Sequence, residues 1–146
     1  MLRLAAQQRE PYWLDLLPGV RIKVRPVTVA AIIAARQAAA EAMKAQEEDS
    51  LFVGSAAFTR SVARWGIIEW EGVGDAEGTV IGATLENIDG LLALWQAFDA
   101  IDRLYVAPAL IGIEEKNAFS LSPNGTSVGA KPTARRARKR APAAPI

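Results

Sequence analysis

Residue types that could do chemistry are scarce in this chain. Among its 146 residues there is no His and no Cys, so it cannot on its own supply a Ser-His-Asp triad, a Cys-His dyad, or an imidazole or thiolate metal site. The segment Asp75-Ala76-Glu77-Gly78 is the nearest approach to a metal-binding loop. It lacks the alternating ligands and the final bidentate Glu of an EF-hand. We interpret it as a polar turn.

Paired carboxylates are the remaining candidates for catalysis. They occur at Glu47-Glu48-Asp49, at Asp99 with Asp102, and at Glu114-Glu115. A general acid needs burial that raises its pKa, and these acids fall on the solvated faces of the helices predicted below. The glycines of residues 72–78 are not followed by the Gly-Lys-Ser/Thr of a phosphate loop. We therefore expect a protein that is not an enzyme and that has no cofactor and no metal site.

Charge divides the chain into two unlike parts. Residues 1–118 hold 11 of the 17 basic residues and all 16 acidic ones, whereas residues 119–146 hold six basic residues and no acid. The second part is also rich in Pro and poor in bulky apolar residues, so it cannot bury enough surface to offset the entropy of ordering its backbone. We expect 119–146 to be a disordered basic tail. Its cations could contact phosphates or an acidic partner, and the candidates are Arg135, Arg136, Arg138, Lys139 and Arg140.

Alternating residues predict a β-hairpin over about 12–25. In Val20-Arg21-Ile22-Lys23-Val24-Arg25, three β-branched residues alternate with three cations, which is the period of a half-buried strand. A first strand precedes it across a loop of Leu17-Pro18-Gly19. That loop predicts that Tyr12 pairs with Val24, Leu14 with Ile22, Leu16 with Val20, and Asp15 with Arg21.

Apolar residues at helical spacing predict five helices, at about 29–46, 51–68, 85–93, 95–106 and 108–116. Thr28 and Thr84 are the expected N-caps of the first and third helices, and Asp49 or Ser50 is the expected cap of the second. Pro108 is expected to kink the chain or to start a new helix. The predicted fold is mainly α (α+β): an N-terminal β-hairpin followed by a compact bundle of four to five helices, in a single globular domain of residues 1–118.

The Trp residues suggest where a partner could bind. Trp95 lies in an apolar helical stripe and is expected in the core, and core packing is also favoured for Trp65. Trp70 lies between two acids just before the glycine-rich segment, so core and surface are equally good readings. If its indole is exposed, it forms a small apolar patch rimmed by acids, suited to an amphipathic helix with basic flanks. The candidate partner-binding residues are Ile67, Glu69, Trp70, Glu71 and Val73.

Two observations bear on the cellular location. No apolar run reaches the roughly 20 residues that cross a membrane as a helix. The first residues have one early Arg but no sustained apolar segment, so they do not look like a secretory signal. We therefore expect synthesis and function in the cytoplasm, without a membrane partner.

The order of several short strings along the chain adds a resemblance. A hairpin ending in Arg-Pro-Val-Thr (25–28) is followed by two helices and by three further strings before a last one near the tail. Those strings are Trp-Glu-Gly-Val-Gly-Asp-Ala-Glu-Gly (70–78), Thr-Leu-Glu-Asn-Ile (84–88), Glu-Glu-Lys-Asn (114–117) and Ser-Pro-Asn-Gly-Thr (122–126). This order resembles that of the small tail-assembly chaperones of long-tailed bacteriophages and phage-derived particles. The likeness covers most of residues 12–126, and the basic segment from Lys131 lies outside it.

The resemblance implies a chaperone that binds the helical tape-measure protein, helps tail-tube protein to assemble on it, and is absent from the mature virion. It implies action in the cytoplasm of a bacterial host. Two other functions remain open. One is a structural virion component of the tail or of the head-tail junction. The other is a small regulator that binds nucleic acid through the basic tail. The oligomeric state is not predicted.

Overall fold

The computed structural model describes residues 1, 9–45 and 50–120, with the side chains of 50 and 114–120 excepted. In chain order the elements are β1 (Tyr12–Leu17), β2 (Val20–Val24), α1 (Val29–Lys44), α2 (Ser50–Gly66), β3 (Ile67–Glu71), α3 (Leu85–Leu92), α4 (Trp95–Ile101), a π-helical segment (Asp102–Val106) and α5 (Ala107–Ser120). The predicted mixed fold, a hairpin followed by helices, is confirmed. Within the described ranges no helix is long and apolar enough to span a bilayer.

The chain groups into two compact units. One is Arg3–Ile111 and the other is Gly112–Ile146 with Met1–Leu2. The first unit contains the sheet, α1 to α4, the π-helical segment and the start of α5, and the site described below lies entirely within it. The predicted single domain of residues 1–118 stays a prediction.

Three antiparallel strands form one sheet in the order β1-β2-β3. The predicted register is confirmed away from the hairpin turn, where the partners are Tyr12 with Val24, Leu14 with Ile22, and Asp15 with Arg21. On β2, Ile22 and Val24 are fully buried, whereas Arg21 and Lys23 lie on the other face beside Trp13 of β1. This alternation fixes the register, because a slip of one residue would turn Ile22 and Val24 outward.

At the turn of the hairpin the predicted pairing is wrong. Val20 pairs with Leu17 rather than with Leu16, so only Pro18 and Gly19 form the turn. Gly19 has a φ of 79°, and Pro followed by a left-handed Gly is the order of a type II turn, in which Pro is favoured. The register shifts beside Leu16, which absorbs the extra residue as a bulge does.

Strand β3 is the element that the sequence does not predict. The helix expected to continue to residue 68 ends at Gly66, and the next residues pair with β2. A Cβ at Gly66 would overlap the hydroxyl group of Tyr105, so a larger residue there would force the tyrosine side chain to shift. That hydroxyl donates to the carbonyl oxygen of Arg25 at 2.6 Å, and the Arg25 amide donates to the Gly66 carbonyl at 2.9 Å. These bonds join the end of β2 to the end of α2.

Two predicted helix caps are confirmed. The Thr28 hydroxyl accepts from the amide of Ala31 at 3.2 Å, and the Thr84 hydroxyl accepts from the amide of Asn87 at 3.2 Å. Each satisfies an amide that the first turn of a helix leaves without a partner. Of the two residues predicted to cap α2, Ser50 is the first residue of the helix, and Asp49 lies outside the described residues.

The predicted interruption at Pro108 takes another form. α5 begins at Ala107, and Pro108 lies in its first turn, where a missing amide donor costs little. The irregularity precedes the proline, because residues Asp102–Val106 form a π-helical turn. Such turns re-aim the side chains around them and are frequent at functional sites.

The core of the first unit lies between the sheet and the helices. Its largest fully buried side chains are Tyr105, Ile22, Ile88, Ile101, Val24 and Val62. Tyr105 is the one with an ionisable group. Burial, and to a smaller extent the nearby Tyr12, raises the pKa of Tyr105 far above its ordinary value, against an opposing effect of Arg25. The phenol therefore stays protonated and can donate its hydrogen bond.

Candidate functional site

The partner-binding patch predicted around Trp70 is not an exposed apolar surface. Trp70 and Ile67 lie on the core face of β3, where Trp70 is only 7% exposed. The indole Nε1 donates to the carbonyl oxygen of Ile81 at 2.6 Å, so the polar edge of the ring is also satisfied. Val73 is half-buried. Of the two readings left open for Trp70, the core reading is correct, because β3 continues the sheet and turns this side chain inward.

The two acids of that patch lie on the opposite face of the sheet, with other charges. Glu69 pairs with Lys23 at 3.8 Å and Glu71 with Arg21 at 3.6 Å. Arg21 also contacts Asp15, with 3.1 Å between Nε and Oδ1, and its guanidinium lies 5.0 Å from the centre of the Trp13 ring. The charges on this face therefore satisfy one another. Exposed pairs of this kind each contribute about 0–1 kcal/mol.

The expectation that Trp95 is a core residue is also wrong. Its side chain is 73% exposed and stacks on Phe98, with ring centres 6.2 Å apart. Helix α4 starts at Trp95 and turns Ala97 and Ile101 inward instead. Trp65, for which core packing was favoured, is half-buried beneath the guanidinium of Arg25, which lies 5.7 Å from its ring centre.

The segment interpreted as a polar turn is one. The Asp75 carboxylate accepts from the amides of Glu77 and Thr79 at 3.0 and 2.8 Å, and Gly78 takes a φ of 84°. The Asp75 carboxylate thus stabilises the turn in which it lies. No group of three or more potential metal ligands comes together within the described part of the chain. The predicted phosphate or acidic-partner contacts, Arg135, Arg136, Arg138, Lys139 and Arg140, lie outside the described residues.

An apolar groove lies elsewhere, between the end of α1, the first half of α2 and the chain around residues 102–110. Its volume is about 470 Å³, within the range of small-molecule pockets. We call it the Asp102 groove. The apolar side chains that line it are Ala39, Met43, Leu51, Phe58, Val106, Ala107 and Leu110.

The rim of the Asp102 groove, formed by Met43 and Leu51, exposes apolar side chains. Leu51 is 73% exposed and Met43 is 37% exposed, and both line the groove. Single exposed apolar residues are ordinary, but exposed apolar side chains that line one apolar concavity mark an interaction surface.

The floor of the Asp102 groove contains a polar pair. The Thr59 hydroxyl, which is almost fully buried, donates to Oδ1 of Asp102 at 2.9 Å. Asp102 is partly buried, and among the described residues it forms no ion pair. Its other carboxylate oxygen, Oδ2, forms no bond to a described side chain. The groove therefore combines an apolar lining with one negative charge.

One wall of the groove can adapt to what it contacts. Gly54 brings the backbone of α2 close to α1, and a Cβ there would lie 2.9 Å from Cγ and Sδ of Met43. The thioether side chain of Met43 is unbranched and rotates about three bonds, so it fills irregular spaces at low cost. Because Met43 packs against the backbone of α2 at Gly54, the shape of this wall changes when the Met43 side chain rotates.

Sequence reasoning misses the groove for identifiable reasons. Its apolar residues have the helical spacing of core residues, and the spacing does not reveal whether another element covers them. Asp102 was expected on a solvated face together with Asp99. Asp99 is exposed and contacts Arg103 at 3.8 Å, whereas the π-helical turn brings Asp102 against Thr59. The only sign of the groove in the sequence is Asp102 itself, an acid two residues before the apolar run 104–106.

Comparison of the chain with protein-family models, with characterised proteins and with solved structures gave no match.

Proposed function

We propose that this chain is a tail-assembly chaperone that holds an amphipathic helix of a phage tape-measure protein in the Asp102 groove. The groove is the observation that carries the proposal. It offers an apolar lining, an adaptable wall at Met43 and an exposed apolar rim, which are the features of a site that receives the apolar face of a helix. By this proposal the chain acts in the cytoplasm of a bacterial host and leaves before the virion is complete.

The resemblance in the sequence supports the same role. Its strings coincide with positions that determine local structure: 25–28 ends β2 and caps α1, 70–78 ends β3 and forms the Asp75 turn, and 84–88 caps α3. The string 114–117 lies in α5, and 122–126 lies outside the described residues. The resemblance therefore concerns residues that determine local structure, and the surface that we propose binds the partner is the Asp102 groove.

Co-expression tests the proposal. If the gene downstream of this one encodes a long helical protein of tape-measure type, that protein is expressed alone and together with this chain. We expect that product to remain in the supernatant, and to co-purify with this chain, only when both are made. A variant with Leu51→Glu should lose the effect, because a charge at the rim opposes apolar docking. Val80→Glu is the matched control, since Val80 is 79% exposed and does not line the groove.

Purified particles give the complementary test. We expect them to lack this chain, and to lack tails when the chain is deleted. Finding it at a fixed copy number in finished particles would exclude the chaperone and favour the structural virion component. Unchanged particle assembly after deletion, combined with tight binding of duplex DNA that salt weakens steeply, would favour the nucleic-acid regulator.

A further inference from the structure

Asp102 is the only partly buried acid among those whose side chains the structure describes; the others are exposed. Several of the exposed acids, Asp15, Asp89 and Asp99 among them, have a cation within 4 Å. Asp102 instead contacts the Thr59 hydroxyl, with the apolar side chains of Phe58 and Val106 lining the same groove. A helix that covered this groove would remove the carboxylate from water, which is costly unless the helix supplies a cation.

The opposite side of the α1–α2 pair has the reverse charge. A second concavity there is lined by Arg60, Arg64, Trp65 and Leu85. Arg64 contacts Asp89 at 3.3 Å, whereas Arg60 forms no ion pair among the residues that the structure describes. A helix with a cation on its apolar face would be repelled from that side and attracted to the Asp102 groove. Charge therefore adds to the difference between the two concavities, of which the Asp102 groove is the more apolar.

We infer that the Asp102 groove selects amphipathic helices that carry one Lys or Arg within their apolar face, and that this cation pairs with Asp102. The inference rests on the proposed function for the helical nature of the partner, and it adds the chemistry by which one helical segment is chosen over others. The Thr59 hydroxyl holds Oδ1, so Oδ2 is the oxygen available to the incoming cation. Apolar contact supplies affinity, and the buried charge supplies selection among helices.

Synthetic peptides test this selection on the full-length chain. The probes are fluorescently labelled 18-residue helices with Leu and Ala on one face and Gln and Ser on the other. One probe has Lys in the middle of the apolar face, and two others have Gln or Glu at that position. A fourth has its single Lys on the polar face, which keeps the net charge but moves the cation away from Asp102. Binding is measured by fluorescence anisotropy.

We expect the probe with the central Lys to bind about tenfold tighter than the Gln probe and than the probe with Lys on the polar face, and the Glu probe to bind weakest. Asp102→Asn should abolish the difference between the Lys and Gln probes. Asp102→Lys should invert the order, so that the Glu probe binds best. Denaturant unfolding of both variants establishes that they fold, and the order of the four probes on the unmodified chain is a test that needs no variant.

Two results would overturn the inference. One is equal binding of the Lys and Glu probes, and the other is an order that Asp102→Lys leaves unchanged. Failure of the proposed function gives a different pattern, in which the probes bind in the expected order but the tape-measure product is not kept in solution. Capture of that product by the Asp102→Lys variant as well as by the unmodified chain would leave the proposed function standing and exclude selection by Asp102.

Discussion

The two ends of helix α2 lie in opposite environments. At its C-terminal end, Val62 is fully buried, Gly66 lies against Tyr105, and the Gly66 carbonyl accepts from the amide of Arg25 after β2. At its N-terminal end, Leu51 is largely exposed and lines the Asp102 groove with Phe58. One amphipathic pattern runs through both ends. The apolar side chains of α2 stabilise the fold where other elements cover them. Where no described element covers them, they are available to a partner.

The largest effect is expected at Trp70, which belongs to the covered region. Trp70→Ala removes a buried indole and its bond to Ile81, so we expect the free energy of unfolding to fall by roughly 3–5 kcal/mol. The exposed Trp95 is the matched control, and Trp95→Ala should cost less than about 1 kcal/mol. Urea unfolding of both variants measures the difference. Equal losses would contradict the assignment of one indole to the core and the other to the surface.

Gly66→Ala tests the junction of α2 and β3. The new Cβ would overlap the Tyr105 hydroxyl, whose position is fixed by its bond to Arg25. We expect a loss of about 1–3 kcal/mol, as for overpacking in a core. Gly90, in α3, is the control, because a Cβ there meets nothing within 4 Å. Gly90→Ala should leave stability unchanged or raise it by up to about 1 kcal/mol. A harmless Gly66→Ala would show that the tyrosine is free to move.

Tyr105→Phe removes the hydroxyl and leaves the Arg25 carbonyl without its donor. We expect a loss of about 1–2 kcal/mol near neutral pH. The pKa of Tyr105 is raised in the folded chain above the ordinary 10.0, chiefly by burial. Above pH 10 the unfolded chain therefore loses a proton that the folded chain keeps, and stability falls as pH rises, by up to about 1.4 kcal/mol per pH unit.

Unfolding measured between pH 8 and 11 checks the sign of that dependence. The unmodified chain should lose stability over the upper part of this range, and Tyr105→Phe should lose less of it. Part of the slope should remain, because burial also raises the pKa of Tyr12. Identical slopes in the two proteins would mean that Tyr105 ionises as readily in the folded chain as in the unfolded one.

The covered region was only partly predictable. The hairpin register and both Thr caps follow from local patterns, in which strand alternation and a hydroxyl before an apolar run determine structure within a few residues. Strand β3 does not, because its partner β2 lies more than 40 residues earlier in the chain and the string Ile-Ile-Glu-Trp-Glu continues a helical apolar stripe. Only the pairing with β2 makes it a strand and buries Trp70.

The open region was less predictable still. The spacing of Met43, Leu51 and Phe58 indicates an apolar face but not what covers it, and the π-helical turn that places Asp102 leaves no pattern in the sequence. Trp95 illustrates the same point in reverse. It fits the apolar spacing of the predicted helix 95–106, but it is the first residue of α4, whose inward face is that of Ala97 and Ile101.

The smallest effect on stability is expected at the rim of the Asp102 groove, where the effect on binding should be large. Leu51→Gln changes a side chain that is mostly in water, so the free energy of unfolding should shift by at most about 0.5 kcal/mol. Capture of the helical partner in co-purification should fall at least about tenfold, because contacts at an apolar interface concentrate in a few large side chains. Val80→Gln is the control for loss of an exposed apolar residue outside the groove, and it should change neither quantity. Loss of stability in Leu51→Gln would place Leu51 in the covered region, and undiminished capture would place the partner on another surface.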